Sequence, residues 1–302
     1  MPRRILLLAV LILGLWSCQN EAADPETTRI QELETLMETE PTAENAQQLV
    51  EAYRTFVEAN PDATDENSDY LFKSAVLEYQ YNRFNKCIEL LNESIGTYYD
   101  SQYTPRNAMF LATIYKEKLQ NEEGANALYQ TYAKAFPNDP KTKTLQDSII
   151  GNLPPLAARI DTLKVNLYDN QTNRIDFRAA NDFIGVCEIY ALMLPKDPAA
   201  PGYLHEAAKI AGYVNSHKKA IRLYEKIHQT YPEHEKAGQS YFMVGFIYDN
   251  ELNDDTKAKE VYEAFIKAYP DNDFVDDATF LMSNLGKTDD EIIESFGNQT
   301  AE

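Results

Sequence analysis

Few residues of this chain have the types and spacing that do chemistry, and the densest cluster is acidic. The run DNDFVDD at residues 271–277 offers closely spaced carboxylates, which are the ligands that calcium prefers. It lacks the mid-loop glycine and the closing glutamate of a calcium-binding loop. Carboxylates are also favoured near a helix N-terminus by the helix dipole. The run therefore predicts an acidic helix start and no metal site.

The histidines, the other cysteines and the short motifs give no better site. The four histidines are His205, His217, His228 and His234. They lack the spacing of zinc ligands on a helix. No GxSxG, HExxH or Walker-type glycine loop occurs. Cys87 and Cys187 lie in apolar stretches, where a cysteine is usually a small buried hydrophobe. We therefore expect no catalytic residue, no metal and no cofactor, and we do not expect an enzyme.

Cys18 is the exception, because it ends a segment with the features of an export signal. Two arginines precede an apolar run at residues 5–15, which is too short to span a bilayer. The sequence LWSC at residues 15–18 resembles the lipobox of bacterial lipoproteins, although Trp16 stands where that motif usually has a small residue. The resemblance implies that residues 1–17 are a removed signal peptide and that Cys18 carries membrane-anchoring acyl chains. An uncleaved anchor and an ordinary secretory signal are the alternatives.

Residues 18–28 are polar and acidic, and they predict a tether between the lipid and the folded body. Ten residues reach at most ~33 Å, so we expect the body to stay near the membrane. In the lipoproteins that this segment resembles, an aspartate after the lipidated cysteine retains the protein at the inner membrane. Gln19 stands at that position here, which favours the outer membrane with the body facing the periplasm. Exposure on the cell surface is the alternative.

The composition restricts both the partners and the fold. The formal net charge is −20, and an acidic surface repels phosphate backbones and anionic lipid headgroups. We therefore expect no binding to nucleic acid, and contact with a membrane only through the lipid on Cys18. Glycine (11) and proline (14) are both scarce, which favours long helices over a sandwich or barrel with many tight turns.

A helical spacing recurs along the chain. In each copy, apolar or aromatic residues follow the first residue at four and seven positions, and a proline follows five positions later, with Ser94 and Tyr99 as departures in one copy. This spacing places the marked residues on one helical face, and the proline marks the helix exit. The copies step by 38, 38, 58, 37 and 38 residues and begin at Leu49, Cys87, Ala125, Phe183, Ala220 and Ala258.

A further helix precedes the marked ones. Gly245 and Tyr248 stand where such a first helix needs a small contact and an aromatic residue, and Ala112 and Tyr115 occupy the matching places in an earlier unit. This helix–turn–helix pattern resembles the tetratricopeptide repeat, which has 34 residues in its usual form. The resemblance implies an all-α fold, namely an α-solenoid of about six helix–turn–helix units.

The 58-residue step interrupts the predicted array. It contains GNLPP at residues 151–155, which predicts a break between an N-terminal array at residues 29–150 and a C-terminal array at residues 156–298. We expect one atypical repeat at the start of the second array. The sequence TDDE at residues 288–291 predicts a capping box that opens a short helix at residues 292–296. Such a helix would cover the apolar face of the last repeat.

The resemblance also implies a binding groove. In tetratricopeptide-repeat proteins the first helices line a concave face that receives an extended peptide or a partner's helix. The corresponding positions here are mostly apolar or aromatic, so they predict an apolar or aromatic partner segment, with burial in the core as the alternative. These groove candidates are Phe72, Val76, Tyr79, Met109, Thr113, His205, Lys209, Tyr213, Phe242 and Phe246.

Together these features predict a non-enzymatic scaffold that binds envelope proteins or peptides while lipid-anchored to the outer membrane. The sequence YPDNDFVDDA at residues 269–278 resembles the tetratricopeptide-repeat lipoprotein of the β-barrel assembly machinery and the Tol–Pal-associated repeat proteins. The alternative is a glycan- or nutrient-binding surface lipoprotein of an uptake system. Such proteins usually carry sugar-stacking tryptophans, whereas the chain's one tryptophan lies in the predicted signal.

Overall fold

The described part of the chain is folded mainly into helices. The computed structural model describes residues 25–168, 172, 174–288 and 290–291. These residues contain fourteen α-helices, one 3₁₀ helix and no strand beyond a single antiparallel bridge between Tyr168 and Ile175. The all-α prediction is therefore confirmed. The predicted signal peptide, Cys18 and the helix predicted at residues 292–296 lie outside the described residues.

The chain divides into two compact units, and the boundary lies between Asn60 and Pro61. The first contains α1 (Pro25–Thr39) and α2 (Ala43–Ala59), which pack against each other. Because α1 begins at Pro25, the last four residues of the predicted tether are helical, which corrects its boundary. Proline is well suited to the first turn of a helix, since its fixed φ is helical and its missing N–H has no partner there.

The second unit is an array of helix pairs. Its helices are α3 (Thr64–Gln80), α4 (Phe84–Thr97), α5 (Thr104–Glu117), α6 (Glu122–Ala135), α7 (Pro140–Ser148), α8 (Leu156–Val165), α9 (Phe177–Met193), α10 (Ala200–Tyr213), α11 (His217–Thr230), α12 (Ala237–Asn250), α13 (Asp255–Ala268) and α14 (Val275–Asn284). The pairs are α3 with α4, α5 with α6, α10 with α11, and α12 with α13. The second helix of a pair also packs against the first helix of the following pair, as α11 does against α12.

The recurring face identified in the sequence is the buried face of the second helices. Ala258, Tyr262 and Phe265 in α13 are each 0% exposed. The equivalent residues of the other copies are also buried, except the half-buried Phe56 in α2. Burying a large apolar side chain contributes about 1.5–3 kcal/mol, so this face stabilises the array. Each marked helix ends two residues before its proline, or before Tyr99 in α4, as the spacing predicts.

The turn inside each pair also repeats. A residue with a positive φ lies between the two helices of four pairs, and these residues are Asn82 (58°), Gln120 (52°), Asn215 (57°) and Asn253 (50°). The left-handed region is costly for most residues, but an asparagine side chain is short and can hydrogen-bond locally. Three of the four turns therefore use the residue that tolerates this conformation best after glycine.

The predicted break is corrected by the structure. Residues 151–155 lie inside the second unit, in an excursion formed by α7, the 3₁₀ helix Ile150–Asn152 and α8. Helix α9 follows this excursion, packs directly against α6 and α10, and touches α4. An ion pair of 2.6 Å between Lys134 and Asp197 reinforces this packing. Residues 61–150 and the helices after the excursion therefore belong to one compact unit, in which α9 is buried on most of its surface.

The predicted capping box is confirmed. The backbone N–H of Thr288 donates to Oε2 of Glu291 across 2.8 Å, and the backbone N–H of Glu291 approaches Oγ1 of Thr288 at 3.3 Å. This reciprocal pairing satisfies two backbone donors that a helix start leaves without partners. The local sequence was therefore sufficient to identify a helix start at this position.

Candidate functional site

A cleft of about 290 Å³ lies between α10, α11 and α12. Residues three or four positions apart share one face of a helix, which is why His205, Lys209 and Gly212 of α10 line it together. A Cβ added to Gly212 would meet no atom within 4 Å, so the cleft is open at that point. The other lining residues are Ala208, Tyr213, His217, Tyr224, Gln239, Met243, Phe246, Ile247 and Glu251.

The floor of the cleft contains a buried, neutral histidine. His205 is 5% exposed, and its Nδ1 lies 3.2 Å from the hydroxyl of Ser240. Its ring meets the ring of Tyr224 edge to face, with 5.5 Å between the centroids. Burial lowers the pKa of His205 from its ordinary value of 6.5 to about 4. The floor therefore carries no charge near neutral pH and can face an apolar occupant.

The rim of the cleft is polar. His217 is the first residue of α11, and its Nε2 lies 3.7 Å from Oε2 of Glu251. Lys209 pairs with Glu206 at 3.5 Å. Tyr213 is 62% exposed, so most of its ring remains available to a partner. The site thus combines an apolar interior with a rim of hydrogen-bonding and charged groups.

The structure brings together only part of the predicted groove. The predicted residues that line the cleft are His205, Lys209, Tyr213 and Phe246. Phe242 is instead 5% exposed in the core, where its ring stacks on Phe274 with 4.8 Å between centroids. For Phe242 the structure thus shows the alternative, burial in the core. Met243 at the next position faces the cleft, whereas Phe242 faces α13 and α14.

The other predicted groove residues, on α3 and α5, do not line this cleft. Phe72 and Tyr79 both contact the ring of Phe110, with centroids 5.5 and 5.3 Å apart. The guanidinium of Arg106 lies 3.7 Å from the centroid of Phe72, within the range of a cation–π interaction. The remaining three residues are half-buried on the same helices, and they are Val76, Met109 and Thr113. These side chains belong to a separate aromatic surface.

Several residues that line the cleft were not predicted from the sequence, because they lie on a second helix or at other positions of the first helices. His217 and Tyr224 belong to α11, a second helix, which the family resemblance assigned to the core. Gln239 and Met243 lie four positions apart on α12, and that helical spacing could have identified them. Gly212 had a signal too, since a glycine inside a helix is unfavourable unless it serves packing or access.

The described residues show the environment of the two other cysteines. Cys87 and Cys187 are free and buried, as the sequence indicated. Burial raises the pKa of Cys87 to about 12 and also raises that of Cys187, so both remain protonated near neutral pH. No group of three or more metal-ligating side chains occurs among the described residues. In the same part of the chain, no helix has the length and apolar character needed to cross a membrane.

The helix pairs and their packing define an α-solenoid of the tetratricopeptide-repeat type, a class whose members typically act as protein-interaction scaffolds. Residues 239–272 match the family model of the tetratricopeptide repeat, and this segment covers most of α12 and all of α13. The wall of the cleft that α12 forms therefore lies in the segment that the family model matches.

The chain is similar to a solved structure described as the TPR2AB-domain:pHSP90-complex of yeast Sti1, with 14% sequence identity and a TM-score of 0.32. The similarity covers 86% of this chain and 100% of that chain. No curated protein matches the chain. The assignment of the fold therefore rests on the helices themselves and on the matched repeat.

Proposed function

We propose that the chain is a non-enzymatic scaffold that binds a segment of a partner protein in the cleft between α10, α11 and α12. The observation that carries the proposal is an open cleft with apolar and aromatic walls on the first helices of a repeat array. In such arrays these helices commonly form the surface that receives a peptide or a partner's helix. The fold, the position of the cleft and its chemistry therefore favour the same function.

The size and rim of the cleft favour a peptide side chain over a free metabolite. Its volume of about 290 Å³ lies at the lower limit of small-molecule sites, which usually have ~300–1,000 Å³. A cleft of this size holds one or two side chains, and the exposed Tyr213 extends the apolar surface beyond it. The rest of a bound segment would then lie along the rim, where polar groups can reach its backbone.

We also propose that the scaffold is held in the cell envelope by lipid on Cys18, at the outer membrane facing the periplasm. The sequence at residues 15–18 supports this proposal. A net charge of −20 disfavours direct adsorption to anionic headgroups, so acyl chains would have to provide the attachment. A short tether would then keep the cleft close to proteins embedded in the same membrane.

The attachment is tested by the variant Cys18→Ala. We expect the folded protein to leave the membrane fraction and to appear in the soluble fraction, with an unchanged circular dichroism spectrum. Trp16→Ala is the matched control, because it brings the segment closer to the lipobox pattern and should remain in the membrane fraction. If Cys18→Ala still sediments with membranes after a salt wash, the lipid anchor is the wrong explanation.

Binding in the cleft is tested by site-specific photo-crosslinking in intact cells. A photoreactive phenylalanine analogue at Tyr213 should form a discrete adduct with a partner protein. The control places the same analogue at Phe177, which is 63% exposed against 62% for Tyr213 but lies at the start of α9 outside the cleft. Subunits of the β-barrel assembly machinery in the adduct would support an envelope scaffold. Identical adducts at both positions would contradict a binding role of the cleft.

A further inference from the structure

We propose that the junction of α8 and α9 touches the membrane surface through an apolar patch, and that this contact orients a body already held there by its lipid. The patch consists of Val165, Tyr168 and Phe177, and we call it the junction patch. The inference rests on the proposed attachment at Cys18. It adds a second membrane contact, which the net charge of the chain did not predict.

The junction patch is unusually exposed for its composition. Val165 is 79% exposed, Phe177 is 63% exposed and Tyr168 is 44% exposed. They are three of the six large hydrophobic side chains that are exposed in the described part of the chain, and they lie within thirteen consecutive positions. Exposed apolar side chains that cluster in this way mark contacts with a protein or a membrane, because removing them from water is favourable.

The backbone holds the junction patch together. The backbone N–H of Asp176 donates to the carbonyl oxygen of Leu167 across 2.9 Å, which brings the start of α9 beside the segment that follows α8. Leu163 and Leu167 are buried, whereas Val165 between them is exposed. The carboxylate of Asp176 caps α9 by accepting from two backbone N–H groups of its first turn. This cap keeps Phe177, the first residue of α9, at the surface beside the end of α8.

The chain around the junction patch lacks the acidic excess found elsewhere. Residues 140–178 contain six lysines or arginines, four aspartates and no glutamate, whereas the whole chain has a formal net charge of −20. Beside the patch, Arg174 is exposed and makes no ion pair with a described residue, while Lys164 pairs with Glu206 at 2.7 Å. The patch can therefore approach anionic headgroups against less repulsion than the acidic remainder of the chain would meet.

The arrangement of the junction patch favours a bilayer over a protein partner. Its side chains come from the end of a helix, a connection and the start of the next helix, and none of them lines the cleft between α10, α11 and α12. A fluid interface accepts side chains that protrude separately, whereas a protein partner needs a surface complementary to them. The aromatic rings of Tyr168 and Phe177 are also well suited to the headgroup region.

The contact is too small to replace the anchor. Three side chains bury less apolar surface than one acyl chain, and a single acyl chain gives only marginal, reversible binding. The junction patch therefore orients a body that is already held near the membrane, and the release expected of Cys18→Ala is unaffected. Because the cleft belongs to the same compact unit, this orientation also fixes the direction in which the cleft faces.

The inference is tested with a tryptophan reporter on the tethered chain. Residues 1–17 are replaced by a hexahistidine tag, which binds vesicles that contain a nickel-chelating lipid and leaves every described residue in place. This replacement also removes Trp16, the chain's one tryptophan, so Phe177→Trp introduces the only reporter. On vesicles of phosphatidylcholine and phosphatidylglycerol, we expect its emission to shift to shorter wavelength and to be quenched by brominated lipid. Tyr213→Trp is the matched control, since Tyr213 is 62% exposed but lines the cleft, and its emission should stay unchanged.

Substitutions in the junction patch separate insertion from mere proximity. Val165→Asp in the Phe177→Trp chain should abolish both the shift and the quenching, because it places a charge in the inserted surface. Its control is Phe280→Asp, which changes an exposed apolar side chain of α14 and should leave both signals intact. Both variants should keep the circular dichroism spectrum of the parent chain, since the altered side chains are exposed.

Three results would overturn the inference. Equal quenching of the reporters at positions 177 and 213, or no quenching of either, excludes selective insertion. A dimer in analytical ultracentrifugation that Val165→Asp dissociates would assign the patch to a second copy. A discrete protein adduct from the photoreactive analogue at Phe177 in intact cells would assign it to a protein partner. Because the tag takes the place of the lipid, these outcomes do not depend on Cys18, whose role is tested separately by fractionation.

Discussion

The hydroxyl of Tyr99 donates a hydrogen bond to the backbone carbonyl oxygen of Met193, with 2.8 Å between the two oxygens. Tyr99 follows α4 and Met193 ends α9, so this bond joins parts of the chain 94 residues apart. It lies beside the direct packing of α9 on α6 and α4. The second unit is therefore not divided at residues 151–155, contrary to the prediction. The helices before and after the excursion share one core.

Cleavage at residues 151–155 should therefore leave the protein assembled. Most of these residues are exposed, so a non-specific protease should cut there first. We expect the two fragments to elute together in size-exclusion chromatography and to separate only in denaturant, because α9 stays packed against α6. Fragments that separate in native buffer would show that the two parts are independent.

Gly245→Ala should destabilise the last repeats. A Cβ at this position would lie 2.7 Å from two ring carbons of Tyr262, a side chain that is 0% exposed and cannot move aside. We expect a loss of about 1–3 kcal/mol in the free energy of unfolding, measured by urea denaturation. Gly212→Ala is the control, since its Cβ meets open space and alanine in a helix is favoured by about 0.5–1 kcal/mol. Equal effects of the two substitutions would contradict the packing described for α12 and α13.

Gln120→Gly should stabilise the turn between α5 and α6. Gln120 has φ of 52°, where a residue with a long side chain is strained and glycine is not. Relief of this strain should raise the free energy of unfolding by about 1 kcal/mol. The added glycine offsets part of that gain, because it increases the conformational entropy of the unfolded chain. Asn253→Gly tests the same conformation, at φ of 50°, from a residue that already tolerates it, and should change stability less. A loss of stability in Gln120→Gly would argue against the left-handed turn.

His205 should make stability depend on pH in a defined window. Its pKa is about 4 in the folded protein and 6.5 ordinarily, because burial disfavours the charged ring. Between these values the unfolded chain binds more protons than the folded one, so stability falls as pH decreases from 6.5 to about 4. The loss is up to about 3 kcal/mol. Urea denaturation across this range should show a shallower decrease for His205→Gln, and an unchanged slope would contradict a neutral, buried His205.

Local spacing was sufficient to predict much of the fold. The buried faces around residues such as Tyr262, the helix ends before the prolines and the capping box all follow from residues within about twelve positions of one another. The packing of α9 on α6 could not be predicted, since it joins segments on either side of a long excursion. The nearly continuous apolar sequence of α9 indicated a helix buried on several sides, but it did not identify its neighbours.

The site was predicted less completely for a related reason. The family resemblance implied a groove on the first helices, and this identified His205, Lys209, Tyr213 and Phe246 in the cleft. His217 was missed because its contribution depends on where α11 begins relative to α10 and α12. The orientation of α12 about its own axis determines which of two adjacent residues faces the cleft. Met243 faces the cleft, and Phe242 faces the core. Helical periodicity alone does not fix such a rotation when both candidate residues are apolar.

The proposed role of the chain is to hold a partner protein in the cleft between α10, α11 and α12. It is tested most directly by quantifying proteins that co-purify, after crosslinking in intact cells, with the unmodified chain, Gly212→Leu and Gly202→Leu. We expect a specific envelope protein to be lost with Gly212→Leu, which fills the cleft, and retained with Gly202→Leu on the same helix, at equal amounts of folded chain. Retention of the same partners by all three chains would contradict the claim.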